Sequence, residues 1–266
     1  MKVLVTRKVR IFRFDLYKRA TARKVDFVAE DYPLSLFVNA TCIATFMCTP
    51  QHLDAFAVGH LLSEGILRSV SEIDEVRLKP EEHKCIVKTL PSAKVEAHLN
   101  LSRLRARIVS SACGGQLQVQ PPPHLPQVAS SLKVNAETLY RAVNELNFKA
   151  EVFRQTGGTH VAAIYRSDGT NLALAEDVGR HNAVDKVVGM AALAQIDFND
   201  CFLVLSGRLS GDIVAKAARV GVPIVASLAA ALSSGIVAAK ATRLTLVGFV
   251  RGKRLNVYTC EERILS

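Results

Sequence analysis

The stretch that decides the fold of this chain is Val161-Ala162-Ala163-Ile164-Tyr165-Arg166-Ser167-Asp168-Gly169-Thr170-Asn171-Leu172-Ala173-Leu174-Ala175. Two apolar runs lie on either side of Ser-Asp-Gly-Thr, and an Asp-Gly pair between apolar runs indicates a β-hairpin. A helix is predicted to follow from about Asn182 to Ala194, because apolar residues recur there at helical spacing. Asn135 is the predicted N-cap of an earlier helix, so helices are expected before and after the hairpin.

Short apolar runs and helical segments alternate through the rest of the chain. The predicted helices cover about 212–220 and 234–242, and the predicted strands are Phe202–Leu205, Ile224–Ala226, Leu244–Phe249 and Leu255–Thr259. The uncharged stretch Val220–Ala239 is long enough to cross a membrane. Glycine and proline divide it, however, so we predict a buried strand, a turn and a buried helix instead. The alternation predicts a three-layer α/β arrangement.

The first part of the chain has a different pattern, rich in strands with one clear helix. The predicted strands are Leu34–Phe37, Cys42–Met47, Glu75–Leu78, Cys85–Thr89 and Val95–Leu99. The helix is predicted to start with Thr49 as N-cap and Pro50 as its first residue, and to end near Leu67. We therefore predict an α+β chain in three segments: a smaller strand-rich domain over 1–110, a Cys-bearing, proline-rich connection over 111–130, and an α/β domain over 131–266.

The composition favours a globular protein with an anionic partner. The 266 residues include 34 Lys and Arg against 24 Asp and Glu, a net charge of +10, which suits nucleic acid, a phosphorylated cofactor or an acidic protein. Nine basic side chains lie in residues 1–30, and we interpret most of them as a solvated arm. The N-terminus lacks the apolar run of a signal peptide and the six cysteines show no disulfide framework, so we expect a cytoplasmic protein with reduced thiols.

Among the six cysteines, Cys113 is the strongest candidate for a reactive thiol. It precedes Gly114-Gly115, whose small size leaves a thiol open to a partner. Positive charge favours the nucleophilic thiolate, and one face of a predicted strand just upstream carries Arg103, Arg105 and Arg107. The alternative for this arginine row is an ordinary solvated face. Apolar strand residues surround three other cysteines, which favours a buried structural role for Cys42, Cys201 and Cys260.

Two glycine–histidine segments are candidate ligand sites. One precedes a strand, Thr156-Gly157-Gly158-Thr159-His160, and the other joins a strand to a helix, Glu176-Asp177-Val178-Gly179-Arg180-His181-Asn182. Free N–H groups and the helix dipole make such junctions favourable for anions. The alternative is a helix-capping network with Asp185 one turn after His181. We predict ligand contacts from Gly158, His160, Gly179, Arg180 and His181.

Two further glycine-containing turns carry arginine. The first is Leu205-Ser206-Gly207-Arg208-Leu209-Ser210-Gly211-Asp212, which joins a strand to a helix but lacks the lysine of a phosphate-binding P-loop. The second, Gly248–Arg254, has a glycine spacing one residue short of that motif and precedes a strand. Arginine offers a planar fork of donors to phosphate or to a purine edge, so we predict a ligand contact from Arg208. A basic turn is equally often simply solvated.

No metal site is expected. The seven histidines form no H-x-x-x-H pair and no cluster with cysteine. A zinc-dependent nucleobase deaminase needs H-x-E and P-C-x-x-C, and the sequence contains neither, since His160 is followed by Val161 and Ala162. We therefore expect a chain without zinc.

Taken together, these segments resemble the FdhD formate dehydrogenase accessory sulfurtransferases over nearly the whole chain. The most specific matches are Gly59–Gly65, Thr156–His160, Glu176–Lys186, Ser206–Ser210 and Gly248–Tyr258. The resemblance implies a sulfur carrier that accepts sulfane sulfur from a cysteine desulfurase. It delivers that sulfur to the molybdenum bis-molybdopterin guanine dinucleotide cofactor before the cofactor enters formate dehydrogenase. It also implies a homodimer, no nucleic acid or membrane partner, and a larger domain that looks like the cytidine-deaminase fold without its zinc site.

The resemblance also assigns residues. The family's persulfide-bearing cysteine matches Cys113, and its cofactor-contacting segment matches Phe249, Val250, Arg251, Gly252, Lys253 and Arg254. The sequence departs from the family at two places. The family loop usually reads C-G-x-C, and here the second cysteine is Gln116, so Cys113 must act alone or with another thiol that the fold brings close. The segment Ser227–Leu232 replaces the Ser-Arg and Pro-Thr that the family usually has.

Two other functions remain open on the sequence. A nucleotide- or RNA-binding module would use the basic charge without depending on Cys113, and its binding would fall steeply with salt. A cofactor chaperone would bind the molybdenum cofactor and hand it over without any sulfur chemistry.

Overall fold

The computed structural model of the chain describes residues 4–93, 95 and 125–266, and it begins with an antiparallel hairpin. Its two ten-residue strands are β1 (Thr6–Asp15) and β2 (Ala20–Ala29). The basic side chains described in this segment are exposed, as predicted, but they stand on a β-hairpin that was not predicted. Aromatic and β-branched residues such as Phe12, Phe14 and Val25 stand among the basic ones, and these residue types favour strands.

A four-stranded sheet and one helix follow the hairpin. The strands are β3 (Tyr32–Val38), β4 (Thr41–Cys48), β5 (Ile73–Lys79) and β6 (Lys84–Thr89). They lie in the order β4-β3-β6-β5, and only β3 and β6 are parallel. Four of the predicted strands are thus confirmed, and the fifth, Val95–Leu99, lies outside the described residues apart from Val95. The helix α1 (Leu53–Ser63) buries Phe56 and Leu61 in the core beside this sheet.

The start of α1 differs from the prediction. Its N-cap is His52, which has a left-handed backbone (φ 52°) and makes no capping hydrogen bond, and the helix ends at Ser63 rather than near Leu67. Thr49 does not cap the helix, because its hydroxyl oxygen accepts a hydrogen bond from the backbone of Val178 at 3.1 Å. Its backbone N–H donates to Asp177 at 2.9 Å. The Thr49 side chain, which the local pattern predicts as a helix cap, makes a long-range hydrogen bond instead.

The next elements lead into the predicted hairpin. They are β7 (Val134–Asn135), α2 (Ala136–Lys149), α3 (Glu151–Thr156), β8 (His160–Arg166) and β9 (Asn171–Asp177). The Asn135 side chain caps α2 by accepting from the backbone of Glu137 at 2.8 Å. In the turn between β8 and β9, Asp168 accepts from the backbone of Thr170 at 2.8 Å and Gly169 has a φ of 90°. The predicted cap and the predicted hairpin are both confirmed.

The remaining elements form the main sheet and its covering helices. In chain order they are α4 (Arg180–Leu193), β10 (Cys201–Leu205), α5 (Gly211–Val220), β11 (Ile224–Ser227), α6 (Ser233–Thr242), β12 (Thr245–Arg251), β13 (Arg254–Thr259) and β14 (Ile264–Leu265). The main sheet has the order β13-β12-β11-β10-β8-β9, and β14 pairs with β7. Short 3-10 turns occupy Val70–Glu72, Pro80–Glu82, Phe198–Asp200 and Glu261–Arg263.

The uncharged stretch Val220–Ala239 folds as the sequence predicts. It contains the last residue of α5, the strand β11 and most of α6. Both helices are short, at ten residues each. Over the described part of the chain, none of the helices has the length and apolar character needed to cross a membrane.

Helices cover both faces of the main sheet, which confirms the α/β class of the second half. Successive side chains of a strand point to opposite faces, and in β10 Leu203 and Leu205 lie in the core that contains α4 and α5. Phe202 and Val204 lie in a second core, which contains the apolar face of α2. Each of these fully buried side chains contributes about 1.5–3 kcal/mol of burial free energy.

The helices α1 and α4 cross with their backbones in direct contact. A side chain at Gly59 would overlap the carbonyl oxygen of Asp185 and lie 2.6 Å from the backbone nitrogen of Gly189. A side chain at Gly189 would likewise overlap the carbonyl oxygen of Ala55. One continuous core therefore includes residues from 32–95 and from the main sheet, while the predicted boundaries near 110 and 131 fall in or beside the residues that are not described and stay predictions.

Candidate ligand-binding site at the sheet edge

One edge of the main sheet gathers most of the segments that the sequence marks as functional. The parallel strands β10 and β11 end there at Leu205 and Ser227. The strand β8 runs the opposite way, so its first residue, His160, lies at the same edge and pairs with Asp177, the last residue of β9. We call this region the site edge and define it as Gly158–His160, Asp177–His181, Ser206–Asp212, Ser227–Leu232 and Phe249–Arg254.

Hydrogen bonds link these segments from one end of the site edge to the other. The Ser206 hydroxyl lies 3.3 Å from Nδ1 of His160 and accepts from the backbone of Val161 at 3.1 Å. The Ser227 hydroxyl donates to the carbonyl of Gly207 at 2.6 Å. At the far end, the backbone N–H of Phe249 donates to the carbonyl of Ala229 at 3.0 Å. The loops after β10, β11 and β12 therefore form one connected surface.

His160 is half-buried at the centre of this surface. Burial lowers its pKa, and the positive charge of Arg180 lowers it further, while Asp177 acts in the opposite direction. The imidazole is therefore favoured in its neutral form, in which one ring nitrogen donates a hydrogen bond and the other accepts one.

The N-termini of α4 and α5 meet at the site edge, and their N-cap residues Gly179 and Ser210 make no capping hydrogen bond. In α5 the N–H of Gly211 donates to the Ser234 hydroxyl at 3.2 Å, and the remaining N–H groups of each first turn have no partner within their own helix. Within the described residues, three buried polar side-chain atoms beside these termini also have no hydrogen-bond partner: Nε of Arg180, Nε2 of His181 and the Ser210 hydroxyl. Donors without acceptors at two helix N-termini suit an anion such as phosphate.

Burial keeps His181 neutral beside the carboxyl group of Asp212. Burial lowers the pKa of His181 to about 4, with further contributions from the positive charges of Lys216 and Arg180, so its imidazole is neutral at physiological pH. Asp212, whose carboxylate lies 4.0 Å from Nε2 of His181, has a raised pKa because of burial and the nearby Glu64. A neutral imidazole beside a carboxyl group of raised pKa can gain or lose a proton near a bound ligand.

A buried ion pair supports the β9–α4 junction from beneath. Lys186 is fully buried and its ammonium lies 2.7 Å from a carboxylate oxygen of Asp177. The same ammonium donates to the carbonyl of Thr49 at 2.7 Å. The second carboxylate oxygen of Asp177 accepts from the backbone of Gly179 and from Asn182, each at 2.9 Å. Asp177 thereby fixes the junction that leads into α4, whose first residues are Arg180 and His181.

A second buried ion pair links α1, α4 and α5. The ammonium of Lys216 lies 2.8 Å from Asp185 and 2.6 Å from Glu64. Asp185 also accepts from the Ser63 hydroxyl at 2.6 Å and lies 2.9 Å from Nδ1 of His60. Despite burial, the positive charge of Lys216 holds the pKa of Glu64 at about 2 and the pKa of Asp185 well below its usual range. Asp185 is therefore an ion-pair partner within the core, not the helix cap considered from the sequence.

The turn after β12 is a basic type I′ β-turn. Gly252 and Lys253 both have positive φ angles, 62° and 58°, which is the backbone that this turn requires. Arg251 pairs with Arg254 across the turn, and the guanidinium of Arg251 lies 5.3 Å from the ring centre of Phe249. All four turn residues are exposed, so three cationic side chains are available to a ligand.

The structure distinguishes among the predicted contact residues. It brings His160, Gly179, Arg180 and His181 together at the site edge, and Arg208 lies there as an exposed side chain. Gly158 is exposed and lies against Ala29 of β2, where an added Cβ would be 3.2 Å from the Ala29 methyl and would require a small shift. Val250 is fully buried in the core beside α2, so only its backbone can reach a ligand. The ligand contacts themselves stay predictions.

Several residues of this region were not selected from the sequence. The segment Leu205–Asp212 yielded a predicted contact only from Arg208, although it also contains Ser206, Ser210 and Asp212. Its position between a strand and a helix is the sequence feature that could have indicated them. The pairing of Lys216 with Glu64 and Asp185 joins residues more than 30 positions apart, and no local pattern could reveal it. A polar residue is apparent in a sequence, but its buried partner is not.

The described cysteines differ widely in exposure, and Cys113 lies outside the described residues together with the arginine row at 103–107 and Gln116. Cys201 is buried as predicted, whereas Cys260 is half-buried and Cys42 is exposed. The prediction for Cys42 is wrong because β4 is an edge strand of its sheet. Burial raises the pKa of Cys48 and of Cys85 to about 12, and that of Cys201 to about 11.

No group of three or more His, Cys, Asp or Glu side chains in the described ranges is arranged to hold a metal ion. Apart from the Asp212 carboxylate, the site edge presents mainly nitrogen donors and hydroxyl groups, such as the ring nitrogens of His160, Nε of Arg180 and the Ser210 hydroxyl. Neutral and cationic donors of this kind bind anions rather than cations.

Comparison with known proteins identifies the family. The sequence profile of the FdhD/NarQ family matches residues 29–265. The sulfur carrier protein FdhD of Methanothermobacter thermautotrophicus is 38% identical, over 97% of this chain and 98% of its own length. The protein of the same name from Saccharolobus solfataricus is 37% identical, over 96% and 99%.

A solved structure agrees with these relatives. The crystal structure of a candidate formate dehydrogenase accessory protein from Desulfotalea psychrophila superimposes with a TM-score of 0.79 at 25% identity, and the match covers 98% of this chain and all of that one. The described fold and the near-complete alignments thus lead to the same assignment. The chain belongs to the FdhD/NarQ family.

Proposed function

We propose that this protein is a sulfur carrier that receives a persulfide sulfur on Cys113 and transfers it to the molybdenum bis-molybdopterin guanine dinucleotide cofactor, which binds at the site edge as substrate. The observation that carries this proposal is the meeting of two helix N-termini, whose N-cap residues make no capping hydrogen bond, with unpaired polar atoms of Arg180, His181 and Ser210. The cofactor is a polyanion, and its phosphates match such a set of donors.

Individual residues then have distinct roles toward the bound substrate. Arg180 and the first turns of α4 and α5 would hold a phosphate, and neutral His160 and His181 would donate to or accept from neighbouring oxygens. The exposed turn Arg251–Arg254 would contact a second phosphate or the guanine edge, for which an arginine fork is suited. The ion pairs Asp177–Lys186 and Asp185–Lys216 act beneath the surface and keep these donors in position.

The sulfur step is a thiol–persulfide exchange. The Cys113 thiolate attacks the terminal sulfur of the donor's persulfide, so that one sulfur–sulfur bond forms on Cys113 while the bond in the donor breaks and leaves a donor thiolate. No net oxidation occurs. In delivery, a molybdenum(IV) centre would supply the two electrons that turn the transferred sulfur into sulfide, and the Cys113 thiolate is regenerated.

The properties of the other thiols support Cys113 as the carrier. A persulfide carrier must ionise to react, because the thiolate is the nucleophile. Three of the described cysteines, at 48, 85 and 201, are buried and have raised pKa values, so they remain protonated and enclosed. With Gln116 in place of the family's second cysteine, the loop also offers Cys113 no partner for a local disulfide.

The relatives supply the biological setting of the proposal. The curated relatives carry the name sulfur carrier protein, and the solved one is named for formate dehydrogenase. We infer that this chain takes its sulfur from a cysteine desulfurase and serves a formate dehydrogenase in the cytoplasm, as a homodimer. The layered α/β core also supports the interpretation of the larger domain as deaminase-like without zinc.

Mass spectrometry tests the sulfur step directly. After incubation with a cysteine desulfurase and cysteine, the peptide that contains Cys113 should gain the mass of one sulfur atom. Cys113→Ala should gain nothing and should fail to restore formate dehydrogenase activity, while Cys42→Ala and Cys260→Ala should behave like the wild type. Restored activity with Cys113→Ala would refute sulfur transfer and favour a cofactor chaperone.

Calorimetry with GDP tests the site edge, because GDP carries the guanine and phosphates of the proposed substrate. Arg180→Ala and Arg251→Ala should each weaken GDP binding by about tenfold or more, in line with a charged hydrogen bond of about 1.5–3 kcal/mol. The matched control is Arg141→Ala, which removes an exposed arginine of α2. Equal affinities for all three variants would contradict the assigned site, and RNA binding that GDP does not displace would favour the RNA-binding alternative.

A further inference from the structure

The β1–β2 hairpin has one face that combines exposed aromatic and basic side chains. The register pairs Arg10 with Val25 and Phe12 with Arg23, and alternate residues of a strand share a face. Phe14 continues the same row toward the turn. We call Arg10, Phe12, Phe14, Arg23 and Val25 the basic–aromatic face. Its apolar members Phe12, Phe14 and Val25 are 56%, 66% and 59% exposed. Such exposure is unusual for large apolar side chains that lie beside one another.

No ion pair neutralises the positive charge of this face among the residues that the structure describes. Over the described residues, Arg10 and Arg23 take part in no ion pair and no side-chain hydrogen bond, and neither strand places a carboxylate on that face. On the opposite face the arginines do have partners, since Arg7 pairs with Glu30 and Arg13 lies 3.3 Å from Asp26. The two faces of the hairpin therefore differ, and one of them is left for an acidic partner.

The position of the hairpin relates this face to the site edge. At its root, the Cβ of Ala29 lies 3.2 Å from where a Cβ of Gly158 would be, two residues before His160. Strands of ten residues extend about 33 Å, and at the far end Leu16 and Tyr17 are 88% and 97% exposed. A protein bound along the hairpin would therefore lie beside the edge at which the cofactor is proposed to sit.

We propose that the basic–aromatic face docks an acidic, partly apolar surface of the enzyme that receives the cofactor, an inference that rests on the proposed function. Arginine and aromatic residues are the types that concentrate at the centres of protein interfaces. Face-to-face pairing with a second copy of this chain is unfavourable, because two such faces would bring arginines against arginines. Successive bases of a nucleic acid fit poorly as well, because the rings of Phe12 and Phe14 are inclined by 82° and share no stacking plane.

The test measures binding of cofactor-free formate dehydrogenase to the full chain. Arg10→Glu/Arg23→Glu should weaken that binding at least tenfold and reduce its dependence on salt, and Phe12→Ser/Phe14→Ser should weaken it to a similar degree. Lys133→Glu/Lys240→Glu makes the same change in net charge at exposed positions elsewhere, and Phe148→Ser removes a 77% exposed phenylalanine of α2. Both controls should bind within twofold of the wild type.

Several results would overturn the docking proposal. Unchanged binding by both hairpin variants would do so, as would loss of sulfur uptake from the desulfurase with dehydrogenase binding intact. A changed sedimentation coefficient in Phe12→Ser/Phe14→Ser would identify an interface between copies. Wild-type binding to anionic vesicles or single-stranded RNA that the variants lose would identify another class of partner. If the wild type binds the dehydrogenase through this face but never acquires sulfur on Cys113, the proposed function fails while the docking surface stands.

Discussion

Cationic side chains occupy two opposite environments in this protein, the buried interior around α4 and the basic–aromatic face of the hairpin. Lys186 and Lys216 are almost fully buried, and each has a carboxylate oxygen within 2.8 Å. Arg10 and Arg23 are exposed, and among the described residues they have no such partner. Both groups contribute to the same net charge of +10, yet only the first group has its charge compensated inside the fold.

The difference follows from the cost of removing a charge from water. An ammonium that loses its hydration must regain the lost free energy from carboxylates and carbonyls, and Lys216 does so through Asp185 and Glu64. An exposed arginine keeps its hydration and needs no partner within the chain. The buried cations therefore stabilise contacts within the fold, whereas the exposed cations without a partner are available to bind another molecule.

The largest expected effect comes from removing one buried cation. Lys216→Met should lower the free energy of unfolding by about 3–5 kcal/mol, because it leaves the carboxylate of Asp185 buried without a counter-charge. Urea denaturation measures the change. Lys240→Met, at an exposed position of α6, should change the stability by less than about 0.5 kcal/mol.

A double variant sharpens this prediction. If the cost of Lys216→Met arises from the uncompensated Asp185, then Asp185→Asn/Lys216→Met should lose less stability than the sum of the two single variants. Strict additivity would show that the two side chains act independently and would contradict the ion-pair interpretation.

A smaller effect is expected where the helices that carry the buried pair touch. Gly59→Ala should destabilise the protein by about 2–3 kcal/mol, at the upper end of the range for overpacking, because the added carbon overlaps the backbone of α4 at Asp185. Thermal unfolding followed by circular dichroism measures it. Asp54→Ala, on the exposed side of the same helix, is the matched control, and an equal loss in both variants would argue against backbone contact as the cause.

The pH dependence of stability should show two separate windows. The pKa of His181 is about 4 in the folded protein and about 6.5 in an unfolded chain, so the unfolded chain binds more protons between these values. Stability should therefore fall as the pH decreases from about 6.5 to 4. For Glu64 the folded pKa is about 2 against about 4.3 unfolded, and a further fall should follow as the pH decreases below about 4.3.

Urea midpoints measured across this pH range test both windows. His181→Gln should flatten the upper window and leave the lower one in place, whereas Glu64→Gln should remove part of the lower one. An upper window that persists unchanged in His181→Gln would assign it to another histidine, with His160 as the next candidate because its pKa is also lowered.

The smallest effect on stability is expected at the hairpin. Arg10→Glu/Arg23→Glu should change the free energy of unfolding by less than about 0.5 kcal/mol per substitution, because neither side chain has a partner to lose among the described residues. The same variant should have the larger effect on partner binding described above. A loss of several kcal/mol on denaturation would show that these arginines are structural and would remove the contrast with the buried lysines.

The local patterns predicted the elements of this chain well wherever the physical cause was local. The Asp168-Gly169 turn and the Asn135 cap depend on hydrogen bonds to residues two positions away, and the sequence contains both partners of each bond. The predicted cap at Thr49 was wrong because its hydroxyl bonds to a residue 129 positions away. The hairpin over residues 6–29 was missed because basic residues interrupt its apolar alternation.

By itself, the sequence determined the α/β pattern of the second half, the family motifs and the candidacy of Cys113, since these depend on neighbouring residues and on their order. Only the tertiary structure decided which charges are paired, where Cys42 lies relative to solvent, and that His160, Arg180 and Ser210 meet at one edge of the sheet. The physical reason is that burial and charge compensation are properties of contacts between distant segments. Such contacts exist only after the strands have taken their order in the sheet.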